Sequence, residues 1–195
     1  MRRGGEIVYV AVGANLGDRD ATFSKVIRAV ERESNLLLLA ASPIFETEPI
    51  GPEEQNPYLN AVLGLRSWFG PLDLLRWLQS VERALGRTRD PGAPRWGPRM
   101  LDLDLLFFGD RCLETPELVI PHVRAHERNF VMVPMAEIAP SFVHPRLGRT
   151  IVEIARSLVG AGGIQPWPRP VGWPGAPDAS VREPDPARLR IEIYS

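Results

Sequence analysis

At 195 residues, with 23 basic and 24 acidic side chains and a formal net charge of −1, the chain is long enough for one sizeable core and too near neutrality to be a general nucleic-acid or membrane-surface binder. Its positive charge is nearly all arginine, Lys25 being the one lysine, so any anion site must come from clustered guanidinium groups. Cys112 has no partner for an internal disulfide, and the apolar runs 7–12 and 36–41 are too short for a signal-peptide core or a membrane span, which makes the cytoplasm the expected compartment.

In chain order, the β-branched run from Ile7 to Val12 reads as a buried strand, followed by the breaker-rich Gly13-Ala14-Asn15-Leu16-Gly17-Asp18. That loop lacks both the Gly-Lys-Ser/Thr ending of a Walker A loop and the three-glycine dinucleotide spacing, so both readings are rejected. Asp18 is placed to cap a helix with Phe23, Val26, Ile27 and Val30 on its apolar side. Leu36 to Phe45 reads as a second strand, and the proline- and glycine-bearing stretch from Glu46 to Pro52 then breaks regular structure. Tyr58 to Leu65 is a third strand expected to pair back on the second, with Tyr58 and Asn60 on one face. Asparagine is disfavoured in strands; its amide beside an aromatic ring suits a flat heterocycle, and a cross-strand aromatic next to a solvated asparagine is the plainer alternative.

Pro71 fits the first turn of a second helix, whose stripe Leu74, Leu78, Val81 and Leu85 ends at Gly86. Glu82, one residue past Val81, is expected at a partly exposed helix edge. The following stretch, Arg87 to Arg99, carries four arginines among three prolines and two glycines, which describes either a phosphate-binding lid or a solvated basic loop. It runs into the apolar strand Leu101 to Phe107, where period two puts Asp102 and Asp104 on one face and Leu101, Leu103, Leu105 and Phe107 on the other. Carboxylates this close repel and resist burial unless cations compensate; a divalent ion, magnesium foremost, is the usual remedy, and a polar face meeting water is the alternative. Arginines beside an acid pair point to a metal–phosphate substrate.

Cys112 to Ile120 reads as a short hairpin or loop, and Pro121 is expected to open a helix running to Met135, with His122 near its N-terminus and Arg128 further on as phosphate donors. His122 and His126 lie four apart with no third ligand at a suitable spacing, so no zinc site is expected; His144 reads as a turn residue. A short helix from Thr150 to Val159 closes the predicted core, giving a folded unit over 1–159 and a Pro/Gly-rich tail over 160–195, in which Leu189, Ile191 and Ile193 alternate as an edge strand would.

Taken together, Gly13-Ala14-Asn15-Leu16-Gly17-Asp18-Arg19, Thr47-Glu48-Pro49-Ile50-Gly51, Tyr58-Leu59-Asn60, Arg95-Trp96-Gly97-Pro98-Arg99, Leu101-Asp102-Leu103-Asp104 and Pro121-His122 closely resemble the 6-hydroxymethyl-7,8-dihydropterin pyrophosphokinases of folate biosynthesis. The resemblance implies an α+β fold, a ferredoxin-like βαββαβ sandwich with a single antiparallel sheet, helices packed on one face and extra C-terminal helices. It implies transfer of the pyrophosphoryl group of ATP to the pterin hydroxymethyl oxygen, leaving AMP. By the same resemblance Asp102 and Asp104 hold two magnesium ions, and Arg87 and Arg99 assist transfer. Thr47, Pro49, Ile50, Gly51, Tyr58, Asn60, Trp96 and Phe130 hold the pterin, and Gln79, Glu82, Arg89, Arg99, Leu105, His122 and Arg128 line the ATP side. Val123 stands where some members carry a larger residue, so no nucleotide contact is carried over there. The implied partners are ATP and the reduced hydroxymethylpterin, with no nucleic acid or membrane, and a monomer is expected. The alternatives are a metal-dependent phosphoesterase using the same aspartate pair with water as acceptor, and a non-catalytic ferredoxin-like module that binds a heterocycle or nucleotide for regulation.

Overall fold

In the computed structural model, which describes residues 4–49, 55–87, 97–158, 160 and 162–174, the N-terminal apolar run forms β1 (Glu6–Ala14). Gly17, at φ +63°, makes the turn into α1 (Arg19–Arg32), and a Cβ there would approach the Met100 side chain to 2.9 Å. Asp18 caps α1 as expected, its carboxylate accepting the Ala21 N–H at 2.9 Å. The single strand expected over Leu36 to Phe45 is two, β2 (Leu36–Ala41) and β3 (Phe45–Thr47), separated by Ser42-Pro43-Ile44. Pro43 has no N–H to give a ladder, so the strand breaks there while both pieces pair antiparallel with β4 (Tyr58–Ser67). α2 (Pro71–Ala84) starts with its proline in the first turn. β5 (Asp102–Phe108) then pairs with the free side of β1.

The hairpin foreseen over Cys112 to Ile120 exists as β6 (Leu113–Glu114) and β7 (Val119–Ile120), a small sheet beside the single one expected. The helix expected to open at Pro121 begins later, as α3 (Asn129–Ile138), because the His122 N–H donates to the Leu106 carbonyl at 2.9 Å and the segment first runs along the end of β5. α4 (Ile151–Ser157) follows, held by a capping box between Thr150 and Glu153. A last strand, β8 (Ile164–Pro166), pairs with β3, giving the sheet order β5-β1-β4-β3-β8 with β2 also on β4, every pairing antiparallel. Among the described residues no helix is long and apolar enough to cross a membrane.

Helices cover both faces of the sheet. Phe23 and Ile27 of α1 and Leu74 and Leu78 of α2 pack on Val10, Val12, Leu63, Leu65, Leu103 and Leu105, while Met132 and Met135 of α3 and Ile151 and Ile154 of α4 pack on Val62, Leu106 and Phe107. The expectation of helices on one face therefore holds for α1 and α2 alone. Phe107 is on the side opposite to that predicted. Tyr9 pairs with Phe107 and Val10 with Leu105, so Leu106 is an extra residue in β5, and this bulge resets the alternation. Nor does the core end with α4: Trp173 is buried and packs against Phe23. The edge strand foreseen around Leu189, Ile191 and Ile193 lies outside the described residues.

Phe107 has no exposed surface and packs edge-on to Tyr9 and Phe142. Phe107→Ala should lower unfolding free energy by about 3–5 kcal/mol in denaturant titration; a loss below about 1 kcal/mol would mean that α3 and α4 do not depend on the bulged register.

Candidate active site

At one end of the sheet the strand register sets Asn60, Gly13 and Asp102 side by side across β4, β1 and β5, with Ala11 opposite Asp104. Small residues in β1 thus form a floor between the Tyr58 and Asn60 side and the two acids. A Cβ at Gly13 would come within 3.2 Å of Asn60 Oδ1, so only glycine leaves this floor clear. Above it opens a cleft of about 380 Å³, within the size range of small-molecule sites.

Asp102 is gripped by two arginines: Arg87 Nη1 donates to Oδ1 at 2.6 Å and Arg99 Nη1 to Oδ2 at 2.5 Å. Behind Arg87 stands Glu82, which accepts from that guanidinium and, at 2.8 Å, from the Leu103 N–H. Glu82 is buried, against the expectation of a partly exposed helix-edge residue, because β5 packs over its face of α2 and supplies an N–H that only an acceptor can satisfy. Burial pushes the Glu82 carboxyl up from its ordinary value, opposed by the Leu103 N–H and by Arg87. Burial works against the charge of Arg87 too, but Asp102 and Glu82 outweigh it and raise its pKa.

Asp104 is less well compensated. Arg128 Nη1 stands 3.9 Å from its Oδ2, beyond hydrogen-bonding distance. Desolvation, then repulsion from Asp102, raises its pKa, with His122 and Arg128 pulling the other way. His122 is lowered by burial despite Asp104, so its imidazole is mainly neutral at pH 7. Across the floor, Asn60 Nδ2 donates to Thr47 Oγ1 at 2.7 Å, and the Tyr58 hydroxyl donates to the Gly97 carbonyl at 3.1 Å, tying this side to the returning arginine loop.

Of the residues singled out in the sequence, Arg87, Arg99, Asp102, Asp104, Thr47, Tyr58, Asn60, Phe130, Gln79, Glu82, His122 and Arg128 all line the cleft. Leu105 does not; it is buried in the core under α1 and α2, on the face of β5 away from Asp104. Pro49 is half-buried and outside the lining. Ile50, Gly51, Arg89 and Trp96 lie outside the described residues. Asn15 was not singled out, yet it is buried and its Oδ1 accepts the Arg99 N–H at 2.7 Å while its amide donates to the Asn56 carbonyl at 3.2 Å. An asparagine in a glycine-bearing loop signals a turn, and nothing local says which distant backbone it will hold. Glu48, within the Thr47–Gly51 motif, lines the cleft as well, and so do Arg124, which was not foreseen, and Val123, where no nucleotide contact was carried over.

Residues 9–140 match the family described as 7,8-dihydro-6-hydroxymethylpterin-pyrophosphokinase (HPPK). The chain belongs to the HPPK family. The 2-amino-4-hydroxy-6-hydroxymethyldihydropteridine pyrophosphokinase of Pseudomonas aeruginosa is 42% identical over 147 residues, 75% of this chain and 88% of that protein. The Bacillus subtilis pyrophosphokinase of the same name is 39% identical over 132 residues, 68% of this chain and 77% of that one. Among solved structures, wild-type Plasmodium falciparum HPPK-DHPS with SDX-DHP superposes with a TM-score of 0.63 at 14% identity over 80% of this chain, a likeness of fold. The chain spans 45% of that longer protein's length.

Because the folded-state pKa of Asp104 is raised above its unfolded value, its contribution to stability is fully present below the unfolded pKa and is lost as pH rises through the folded one. The ligand-free protein should therefore lose melting temperature through this group as pH rises above the ordinary carboxylate range, and Asp104→Asn should flatten that loss. A parallel pH profile in the variant would remove Asp104 from the balance.

Proposed function

We propose that the chain transfers the pyrophosphoryl group of ATP to the hydroxymethyl oxygen of 6-hydroxymethyl-7,8-dihydropterin, giving the pterin diphosphate and AMP, a step of folate biosynthesis. The observation that carries this is the row Asn60–Gly13–Asp102, in which a heterocycle-binding amide and a cluster of acids and guanidinium groups meet over one floor, in a chain of this family. On this reading the pterin lies against Tyr58, Asn60, Thr47 and Phe130, with Pro49, Ile50, Gly51 and Trp96 belonging to the same side by resemblance. The nucleotide lies toward Gln79, Glu82, His122 and Arg128, with Arg89. The ferredoxin-like reading of the fold is supported by the order β5-β1-β4-β2/β3 with α1 and α2 on one face.

The residues present fit a magnesium site. Asp104, only partly offset by Arg128 at 3.9 Å, stands next to Asp102, and two carboxylates completed by substrate phosphates and water are the donor set this ion accepts. When bound, two Mg²⁺ ions would neutralise phosphate charge and orient the triphosphate. The protein's own part is positioning and charge. Arg87 and Arg99 hold planar donor forks that a phosphate oxygen can take over from Asp102, and Glu82 keeps Arg87 aimed during that exchange. Asn15 fixes the backbone from which Arg99 reaches in. As the hydroxymethyl oxygen forms its bond to the β-phosphorus, the bond to the AMP oxygen breaks, and the two arginines face the charge that develops. Neutral His122 is a hydrogen-bonding group for phosphate or ribose oxygens, with no nucleophilic role.

With ATP, magnesium and the reduced hydroxymethylpterin, AMP should appear only when the pterin is present; pterin-independent phosphate release would favour a phosphoesterase, and binding without turnover a regulatory module. Asp102→Ala and Asp104→Ala should each reduce kcat by at least about 10²-fold with the circular dichroism spectrum retained. Near-normal rates in either would remove that acid from the reaction. Arg99→Ala should lower kcat more than it raises the KM for ATP, and a change confined to KM would make Arg99 a binding residue only.

A further inference from the structure

The strand that carries Thr47 into the cleft is only three residues long, and the chain beyond the family match at 9–140 is fastened along it. β8 lies against β3 with Ile164 opposite Thr47, Gln165 opposite Glu46 and Pro166 opposite Phe45. Immediately after, the Trp167 N–H donates to the Ile44 carbonyl at 2.9 Å, and the Trp167 indole N–H donates to Asp20 at the start of α1, also at 2.9 Å. The guanidinium of Arg19 stacks on the Trp167 ring at 4.7 Å while its Nη1 donates to Glu46 Oε2 at 3.0 Å and to the Pro57 carbonyl at 2.8 Å. Further on, buried Trp173 packs on Phe23 and its indole N–H donates to the Ser42 carbonyl at 2.9 Å, and the Ser24 hydroxyl donates to the Val171 carbonyl at 2.7 Å. The lead-in to β3 and its body are thus held from one side by the segment Ile164–Trp173, and Arg19, stacked on Trp167, ties Glu46 to the entry to β4.

We propose that this segment is a strap that positions the heterocycle side of the cleft, with Trp167 a positioning residue acting through Arg19 and β3 on Thr47. The inference rests on the pyrophosphokinase reading for what the heterocycle is. A three-residue strand paired on one side only would fray within the time of local opening, and Thr47, whose hydroxyl accepts from Asn60, sits at its end. Among the described residues no hydrogen bond or cation–ring contact joins Trp167 to α2, β5 or Arg128, on which the nucleotide side is built, so the strap discriminates between the two substrates. The same packing makes residues 162–174 part of the working unit, whereas a division of the chain at 159/160 would cut it off.

The test uses the full-length protein with Trp167→Ala and Trp167→Phe, the second keeping a ring over Arg19 and losing the bond to Asp20. Trp167→Ala should raise the KM for the pterin at saturating ATP by about three- to tenfold, leave the KM for ATP within about twofold, and speed amide hydrogen exchange in the peptide spanning Ile44 to Thr47; Trp167→Phe should fall between it and the parent. Unchanged exchange, or equal rises in both KM values with a lowered melting temperature, would overturn the proposal. Should the parent show no turnover at all, the reaction assignment fails, and the exchange measurement still decides whether the strap holds β3.

Discussion

Two guanidinium groups closing on one carboxylate organise this molecule. Arg87 lies just beyond the end of α2 and Arg99 at the return of the loop, and both reach Asp102 at the start of β5. A single acid therefore ties a helix end, two arginines twelve positions apart and the edge strand β5. Glu82 completes the arrangement from behind, engaging Arg87 and the β5 backbone at once. In the ligand-free chain Arg87 and Arg99 offset the charge of Asp102, and Arg87 that of Glu82, which lowers the cost of gathering acids around one cleft; the proposed reaction would have a polyphosphate and a cation exchange partners with them.

The proposed exchange needs the acceptor substrate at the same place, and the sheet register brings the proposed groups together there. β1 separates β4 from β5 by one strand and presents Gly13 and Ala11 between them, so the Tyr58 and Asn60 side and the acid and arginine side share a floor of small residues. The two sides are supported differently. Helices α2 and α3 stand behind the acids and Arg128, whereas the short β3 is paired on its outer side by β8, from beyond α4.

Most elements were legible because local chemistry and the final structure agree. The Asp18 cap, the proline of α2 and the alternating Asp102 and Asp104 needed nothing from distant residues. Misreadings occurred where a neighbour overrode the pattern. Leu106 bulges against β1 and moves Phe107 to the other face, the His122 N–H is taken by β5 and delays α3, and Glu82 is covered by a strand that reaches it only in the folded chain.

By itself the sequence determined the residue chemistry and the family: periodicity marks strands and helices, and the motifs around Asn60, Arg99, Asp102 and His122 carry the resemblance. Only tertiary structure decided which of these groups touch. Asn15 holds Arg99 across 84 positions, and Trp167 reaches Asp20 across 147. Such contacts leave no periodic trace, since either partner alone is an ordinary loop or surface residue, and it is the closing of the sheet that brings them together.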